Sequence, residues 1–241
     1  MRNGKILTAE QLKARAMRFF DRYGKDLEQI RQLLSIRLSQ LALAYTIANN
    51  LPYEAVMIST RVKSQKSFLH KLAKKGWPQF YYPNEVVKDL VGARVICWFI
   101  DDCAGMQKLI ASSNHLKVLD DVDDYINNPK PSGYRSIHLL ATVGYDSVQR
   151  SEGNVVLVNE NLVCEIQIRT KLQDAWGDVT HDFHYKAKSS GVDNQAYEKN
   201  IAEIASRLAN EDQLLLNLRD AYQSLADEKF QNKTREGFHE E

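Results

Sequence analysis

The sequence predicts a mixed α/β (α+β) fold, with a core over residues 52–187 and helical segments on both sides of it. Apolar residues recur at helical spacing over residues 8–49 and again over residues 193–226. Between these segments, apolar runs such as residues 95–100 have the length and composition of strands that are buried on both faces. Because strand and helix patterns alternate within residues 52–187, this stretch is predicted to form a single α/β core.

Residues 1–51 are predicted to form an N-terminal helical segment. Its apolar side chains recur every three or four positions, and Thr8 with Gln11 matches a capping box at its start. Gly24 predicts a break between two helices inside this segment.

The core is predicted to contain a helix with a dense basic face over residues 61–76, which ends at a glycine. A short helix over residues 86–90 is expected to precede the buried strand. The remaining predicted elements are a helix at 101–113, strands at 115–126, 134–143, 155–158 and 164–169, and a helix at 170–186. Residues 188–241 are predicted to form a C-terminal helical segment with a polar, frayed end.

The composition excludes several classes of protein. A net charge of only +1 excludes a uniformly basic nucleic-acid-binding surface. Cys97, Cys103 and Cys164 are an odd number without a C-x-x-C pair, which favours reduced thiols over a disulfide framework or a structural zinc site. Cys97 and Cys164 lie in apolar runs and are expected in the core. No apolar run has the length of a signal peptide or a transmembrane helix, so we expect a cytoplasmic chain without a membrane partner.

Two predicted strands carry polar side chains on one face, because side chains alternate along a strand. The polar sets are Glu165, Gln167 and Arg169 in CEIQIRT, and Tyr134, Ser136 and His138 in GYRSIHLL. A solvated face of an antiparallel sheet explains such alternation equally well. The residue types favour a site, because an acid, an amide, an imidazole and a stacking ring are groups that hold a nucleotide base and a metal ion.

Two carboxylates are candidates for one metal site. Asp89 precedes the buried strand and Glu165 lies on another strand, each near a strand end. Mg²⁺ prefers oxygen ligands and commonly uses one or two carboxylates together with substrate phosphates. The alternative for Asp89 alone is an ordinary surface position.

The basic segment over residues 61–76 is a candidate phosphate-binding surface. If it is helical, Lys63, Ser67 and Lys71 lie four residues apart on one face. A row of ammonium groups with a hydroxyl suits a polyphosphate. A solvated charged face and an RNA-facing surface are the alternatives.

Five sequence blocks, in order, resemble the synthetase domain of the RelA/SpoT family, in particular its small single-domain alarmone synthetases. The blocks are RVKSQKSFLHK, KDLVGARVIC, NPKPSGYRSIH, CEIQIRT and QDAWGDVTHDFHYK. They span residues 61–186, just over half of the chain. One block alone is a weak signal, and five in the family's order and approximate spacing are a strong one.

The resemblance implies a mixed, mostly antiparallel sheet of roughly five strands, of nucleotidyltransferase-like type. It also implies a GTP/GDP diphosphokinase, which transfers the β,γ-pyrophosphate of ATP to the 3′-hydroxyl of GDP or GTP and so forms ppGpp or pppGpp and AMP. The expected partners are therefore ATP and GDP or GTP, and the expected cofactor is Mg²⁺.

The resemblance further implies roles for single residues. Glu165 is expected to activate the 3′-hydroxyl and to share Mg²⁺ with Asp89, the main metal ligand. The expected ATP-binding residues are Arg61, Lys63, Ser67, Lys71 and Arg94, with the two arginines on either side of adenine. The expected acceptor-binding residues are Lys130, Tyr134, His138, Gln167 and Asp174, with Tyr134 stacked on guanine and Asp174 at the guanine edge.

Two alternative functions stay open. Some relatives with this core pyrophosphorylate tRNA 3′ ends or adenine nucleotides, and Gly177 and Asp178 depart from the residues expected beside the acceptor site. A catalytically inactive nucleotide- or RNA-binding module is the other alternative. The presence of both Asp89 and Glu165 argues against it, because close carboxylates are costly to keep without a metal.

Further expectations concern hydrolysis and assembly. The single His-Asp pair, His181–Asp182, and the short upstream helices predict synthesis without hydrolysis. His184 and Tyr185 are expected to pack at a helix end. The terminal helices are expected to form a homo-oligomer, such as a tetramer, or to pack on the sheet.

Overall fold

The computed structural model describes residues 6–190 and 195–237, without the side chains of residues 120–121, 181–182, 184–190, 195–197 and 227–237. Within these residues the helices are α1 (Ala9–Ala48), α2 (Gln65–Lys74), α3 (Pro83–Val86), α4 (Ile100–Ala111), α5 (Lys171–Ser190) and α6 (Gln195–Gly237). The strands are β1 (Val56–Val62), β2 (Val91–Cys97), β3 (Lys117–Asp124), β4 (Ile137–Ser151) and β5 (Asn154–Thr170). The prediction of an α+β fold is confirmed.

The strands form one five-stranded sheet in the order β1-β2-β5-β4-β3. β2 and β5 pair in parallel, and the other neighbours pair antiparallel. The predicted mixed, mostly antiparallel sheet of about five strands is thereby confirmed. In the parallel pair, Gly92 lies opposite Glu165 and Arg94 opposite Gln167. The start of β2, which follows Asp89 closely, therefore lies beside Glu165 at the centre of the sheet.

One hydrophobic core joins α1 to the sheet. From Leu27 to Thr46 every third or fourth residue of α1 is buried, including Leu34 and Leu38. These side chains belong to the same cluster as Val95, Ile166 and Leu139 of the sheet. Along β5, Ile166 is buried and its polar neighbours are half-exposed. The polar residues therefore lie on the opposite face of the sheet, because side chains alternate along a strand.

The three cysteines are free and buried, and Cys97 and Cys164 lie in the core as predicted. Among the described helices, none combines the length and the apolar character needed to span a lipid bilayer.

The prediction of one basic helix over residues 61–76 is wrong at its start. Residues Val56–Val62 form strand β1, and α2 begins at Gln65 after its N-cap residue Ser64. β1 carries β-branched residues at alternate positions and pairs antiparallel with β2 along its whole length, with Arg61 opposite Gly92. Tertiary pairing therefore overrides the helical charge pattern in this segment.

Three other expectations about element bounds are also corrected. α1 runs through Gly24 without a break, because its apolar stripe continues on both sides of the glycine. The short helix ends at Val86 rather than continuing to Leu90. The strands expected at 155–158 and 164–169 are one strand, β5, and β4 begins at Ile137 rather than at Tyr134. β4 and β5 pair from end to end, so cross-strand hydrogen bonds extend both strands through their polar stretches.

We predict that Leu34→Ala lowers the free energy of unfolding by about 2–5 kcal/mol, because it leaves a cavity where α1 meets the sheet. Ile36→Ala is the control on the same helix; Ile36 is 56% exposed, and its loss should cost less than about 0.5 kcal/mol. Urea denaturation of both variants measures the difference. Equal losses would show that α1 is not part of the core.

Candidate active site

Asp89 is the most enclosed carboxylate of the site, and two lysines bind it. Lys63 Nζ donates to its Oδ2 and Lys71 Nζ to its Oδ1, each at 2.8 Å. Burial opposes ionisation of Asp89, and the two lysines outweigh this effect and hold its pKa below the ordinary aspartate value. Lys63 follows β1 and Lys71 lies on α2, so the two ammonium groups meet at Asp89 from different elements.

The predicted row of Lys63, Ser67 and Lys71 on one helix is therefore corrected. Ser67 lies in the first turn of α2, where its backbone N–H donates to the Ser64 hydroxyl oxygen and its own hydroxyl oxygen accepts from the Ser64 hydroxyl. Lys63 precedes the helix. Lys63 and Lys71 still share one anionic partner, Asp89. The predicted helix over residues 61–76 did not imply this shared contact.

Glu165 lies on β5 and faces the same cleft. Gln167 Nε2 donates to its Oε2 at 2.7 Å, and His138 Nδ1 lies 3.6 Å from its Oε1. Burial raises the pKa of Glu165, and the His138 ring and the Gln167 amide outweigh this and hold the pKa below its ordinary value. The nearby charge of Asp89 acts against them. Glu165 is consequently an ionised carboxylate at neutral pH.

Two clefts meet at these carboxylates. The first has a volume of about 300 Å³, and Arg61 and Arg94 are among the residues that line it. The second has a volume of about 630 Å³ and contains Lys71 and His138. Asp89 and Glu165 line both clefts. A pair of carboxylates between two clefts is suited to the transfer of a group from one bound ligand to another.

A network of ion pairs closes one side of the first cleft. Arg94 Nη1 lies 2.7 Å from Asp178 Oδ1 and 3.3 Å from Asp174 Oδ1. Arg169 Nε lies 3.2 Å from the same Asp174 oxygen, and its Nη2 donates to Gln167 Oε1. The structure thus places Asp174 against two arginines rather than at an open edge. Asp178, which the sequence showed only as a departure from the expected pattern, is a partner of Arg94.

The loop over residues 128–136 carries Lys130 and Tyr134, and His138 follows it on β4. Tyr134 Oη and His138 Nε2 are 2.8 Å apart, and Lys130 Nζ lies 4.1 Å from the centre of the Tyr125 ring and 5.2 Å from that of Tyr134. Burial raises the pKa of Tyr134. Tyr134 and His138 share a side of the chain, as predicted.

Ser136 differs from the prediction that it shares this polar face. It is fully buried, and its hydroxyl donates to the carbonyl of Ile168 at 3.0 Å. This bond ties the end of the loop to β5.

Sequence reasoning gave several residues of the site no specific role, and it counted Lys75 only as part of the basic segment over residues 61–76. Lys75 and Lys88 line the second cleft, and Trp176 packs on Tyr134 with ring centres 6.2 Å apart. Lys75 lies four residues after Lys71, and Lys88 precedes Asp89, so these two positions carried a usable signal. Trp176 carried none, because an apolar ring on a helix predicts only packing. The side chains of His181, Asp182, His184, Tyr185, Lys186 and Lys188 lie outside the described residues.

The donor set fits a magnesium ion that is completed by substrate. Asp89 and Glu165 supply carboxylate oxygens from two neighbouring elements. No group of three or more histidine, cysteine or acidic side chains able to hold a metal occurs among the residues that the structure describes. Mg²⁺ commonly takes one or two carboxylates and keeps waters or substrate phosphates as its other ligands, so two carboxylates suffice.

The fold is a mixed α+β sheet flanked by helices, with two clefts that share a pair of carboxylates. The family model described as "Region found in RelA / SpoT proteins" matches residues 60–190, more than half of the chain. The chain belongs to the RelA/SpoT family, as its five sequence blocks predicted.

Relatives and solved structures agree with this assignment. GTP pyrophosphokinase YwaC of Bacillus subtilis is 34% identical over 151 residues, which cover 62% of this chain and 68% of YwaC. GTP pyrophosphokinase YjbM of the same organism is 30% identical over 155 residues, covering 64% and 68%. The fold is similar to that of small alarmone synthetase 1 from Bacillus subtilis bound to its product pppGpp, with a TM-score of 0.70 and 22% identity over 86% of this chain and 99% of that one. Small alarmone synthetase 2 from the same species gives a TM-score of 0.66 and 26% identity over 83% and 98%.

We predict that the stabilising effect of Asp89 depends on pH. Its pKa is lowered in the folded state, so its contribution is present above the ordinary aspartate value of 3.8 and is lost as the pH falls through the lower folded-state value. Asp89→Asn should therefore cost about 1–3 kcal/mol of unfolding free energy at pH 6 and less at pH 3. Urea denaturation at both pH values measures the two differences.

Asp178→Asn is the control for this prediction. Asp178 also pairs with an arginine, but its side chain is 58% exposed and solvent screens the pair. Its replacement should change the stability little at either pH. A cost of Asp89→Asn that is the same at pH 6 and pH 3 would contradict the role of its charge.

Proposed function

We propose that this chain is a (p)ppGpp synthetase, which transfers the β,γ-pyrophosphate of ATP to the 3′-hydroxyl of GDP or GTP. The observation that carries the proposal is the pair of clefts that share Asp89 and Glu165. A donor nucleotide in one cleft and an acceptor nucleotide in the other would meet at these carboxylates. The names of the relatives support the same reaction.

ATP would place its base in the first cleft and its phosphates at the carboxylates that both clefts share, where Lys71 lines the second cleft. Arg61 and Arg94 line the first cleft, and planar guanidinium groups stack on a base and also bind phosphate. Lys63 and Lys71 already lie at an anion, Asp89, so their ammonium groups are placed to neutralise the phosphates. Ser67 lies in the first turn of α2, where a hydroxyl can reach a phosphate near the N-terminal end of the helix.

Mg²⁺ would be held by Asp89 and Glu165 together with the phosphates of ATP, and when bound it would offset their negative charge. Phosphoryl transfer depends mainly on positioning and electrostatic stabilisation. The release of Lys63 and Lys71 from Asp89 toward the phosphates would leave that carboxylate free for the metal.

The acceptor would bind in the second cleft beside His138 and extend to the loop over residues 128–136, whose Tyr134 bonds to His138 but lines neither cleft. Tyr134 would stack on guanine, and Lys130 would contact the phosphates of the acceptor. His138 and Gln167 flank Glu165, so they would orient the ribose beside it. Asp174 could accept the two neighbouring donors of guanine only if it gives up one of its arginine contacts.

Glu165 would act as the general base. It is ionised at neutral pH and partly enclosed, which suits the acceptance of the 3′-hydroxyl proton. The freed oxygen would attack the β-phosphorus of ATP, the bond between that phosphorus and the α,β-bridging oxygen would break, and AMP would leave.

We further propose a cytoplasmic homo-oligomer, with a tetramer as one form. α6 exposes Leu218, Tyr222 and Leu225, and α1 exposes Ile36 and Ile47, so both long helices carry apolar surface beyond the core. The free, buried cysteines are consistent with a reducing compartment. Light scattering after size-exclusion chromatography measures the assembly.

We predict that Glu165→Gln lowers the rate of AMP formation by roughly 10²–10⁴-fold, because the amide cannot accept the hydroxyl proton. ATP binding, measured by calorimetry, should change little. Glu160→Gln is the matched control: Glu160 lies on the same strand but bonds to Tyr145 outside both clefts, and its replacement should preserve turnover. Turnover of Glu165→Gln close to that of the unmodified chain would exclude the general-base role.

A screen of acceptors tests the substrate class. Labelled ATP with Mg²⁺ should pass its label to GDP or GTP, with release of AMP, and the 241-residue chain should not degrade the product. Label on adenine nucleotides or on the 3′ end of tRNA, without label on guanine nucleotides, would assign the chain to the alternative acceptors. Absence of AMP with every acceptor would favour the inactive binding module.

A further inference from the structure

Helix α6 packs directly on the loop over residues 128–136, which we call the acceptor loop. A Cβ atom placed on Gly133 would lie 2.5 Å from Ala205 Cβ and 3.2 Å from the backbone of Ala202. The glycine has φ +81°, a left-handed conformation in which side chains are strained. The loop and the helix are therefore in backbone contact, and only small residues fit at both sides of it.

Trp176 joins the loop to the same helix. Its ring packs against Tyr134, and its indole N–H donates to the carbonyl of Ile201 on α6 at 3.3 Å. Trp176, Ile201 and Ala205 form a buried cluster separate from the main core, with Tyr134 and Leu208 packed against it. The ring of Tyr134 is consequently packed against apolar side chains of α5 and α6.

Two polar contacts fix α6 farther along its length. Asp212, which is only 2% exposed, accepts hydrogen bonds from the Thr170 hydroxyl at 2.8 Å and the Gln173 amide at 3.1 Å. Arg219 binds both carboxylate oxygens of Asp101 on α4, at 3.0 and 2.7 Å. These contacts anchor the helix to the end of β5 and to α4, so it can hold the loop firmly.

We propose that α6 is a positioning element for the acceptor nucleotide, and that Ala205, Trp176 and Asp212 are its positioning residues. This inference rests on the proposed function, in which Tyr134 stacks on the acceptor base. By holding the loop against Trp176 before the nucleotide arrives, α6 reduces the conformational entropy that the loop loses on binding.

The proposed effect is confined to the acceptor. Four of the groups assigned to ATP, namely Arg61, Lys63, Ser67 and Lys71, lie on β1, just after it or on α2, at the edge of the sheet opposite β3. Arg94 lies on β2 and pairs with Asp174 and Asp178 of α5, whereas α6 itself contacts α4, α5 and the acceptor loop. Displacement of α6 should consequently weaken binding of GDP and leave binding of ATP unchanged.

Ala205→Val tests this proposal, because the larger side chain pushes the helix away from Gly133. We expect the KM for GDP to rise roughly tenfold, in line with the loss of a preordered loop, and the KM for ATP to change less than about twofold. Ala221→Val is the matched control. It is the same substitution on an exposed part of α6 and should leave both KM values unchanged. An unchanged KM for GDP in Ala205→Val, or equal rises in both KM values, would overturn the proposal.

Trp176→Phe supplies a second variant that keeps a ring under Tyr134 and removes the bond to Ile201. It should raise the KM for GDP less than Ala205→Val does, and Trp176→Leu, which removes the ring, should raise it more than Trp176→Phe. Equal values for the two Trp176 variants and the unmodified chain would contradict the role of Trp176.

Hydrogen exchange of the loop amides separates this inference from the proposed function. Without any nucleotide, the amides of residues 132–136 should exchange several-fold faster in Ala205→Val than in the unmodified chain or in Ala221→Val. Equal exchange would overturn the positioning role even if the chain makes ppGpp. Faster exchange in a chain that forms no AMP with any acceptor would support the packing and refute the proposed function instead.

Discussion

The parallel pairing of β2 with β5 is the constraint on which the site depends. It sets Gly92 opposite Glu165, so that the segment entering β2 brings Asp89 to the same part of the sheet. Antiparallel pairing of β1 on the other side of β2 brings Arg61 and then Lys63 to this place. Parallel neighbours require a long connection, and here that connection contains α4, β3 and β4. The elements that enclose the acceptor side are therefore part of the connection that makes the parallel pair.

Two carboxylates so close together need compensation, because each charge disfavours ionisation of the other. Asp89 receives it from Lys63 and Lys71, and Glu165 from Gln167 and the ring of His138. These compensating groups are also the ones proposed to bind the substrates. Lys63 and Lys71 thus compensate the charge of Asp89, and in the proposed reaction they would exchange this carboxylate for the phosphates of ATP.

The sequence predicted the charged residues of the site better than it predicted the elements and packing residues that hold them in place. Asp89, Glu165 and the lysines were predicted because charged residues at strand ends and in a basic segment can be recognised from the sequence alone. β1 was missed because Arg61 near its end, Lys63 just after it and the lysines of α2 form one continuous basic pattern, and only pairing with β2 distinguishes strand from helix. Trp176 and Ala205 were missed because their role depends on contact with Gly133 and Tyr134, far away in sequence.

The two sides of the site consequently differ in how they are built. The residues assigned to ATP lie mostly on β1, α2 and β2, which all fall within residues 56–97 and share the main core with α1. The acceptor loop instead depends on α5 and α6 and on a small separate cluster around Trp176. A small cluster buries less apolar surface and opens at a lower free-energy cost than a large one. Substitutions in α6 are thus expected to alter acceptor binding without a comparable loss of global stability, which makes this helix the part of the fold where acceptor preference can change most independently.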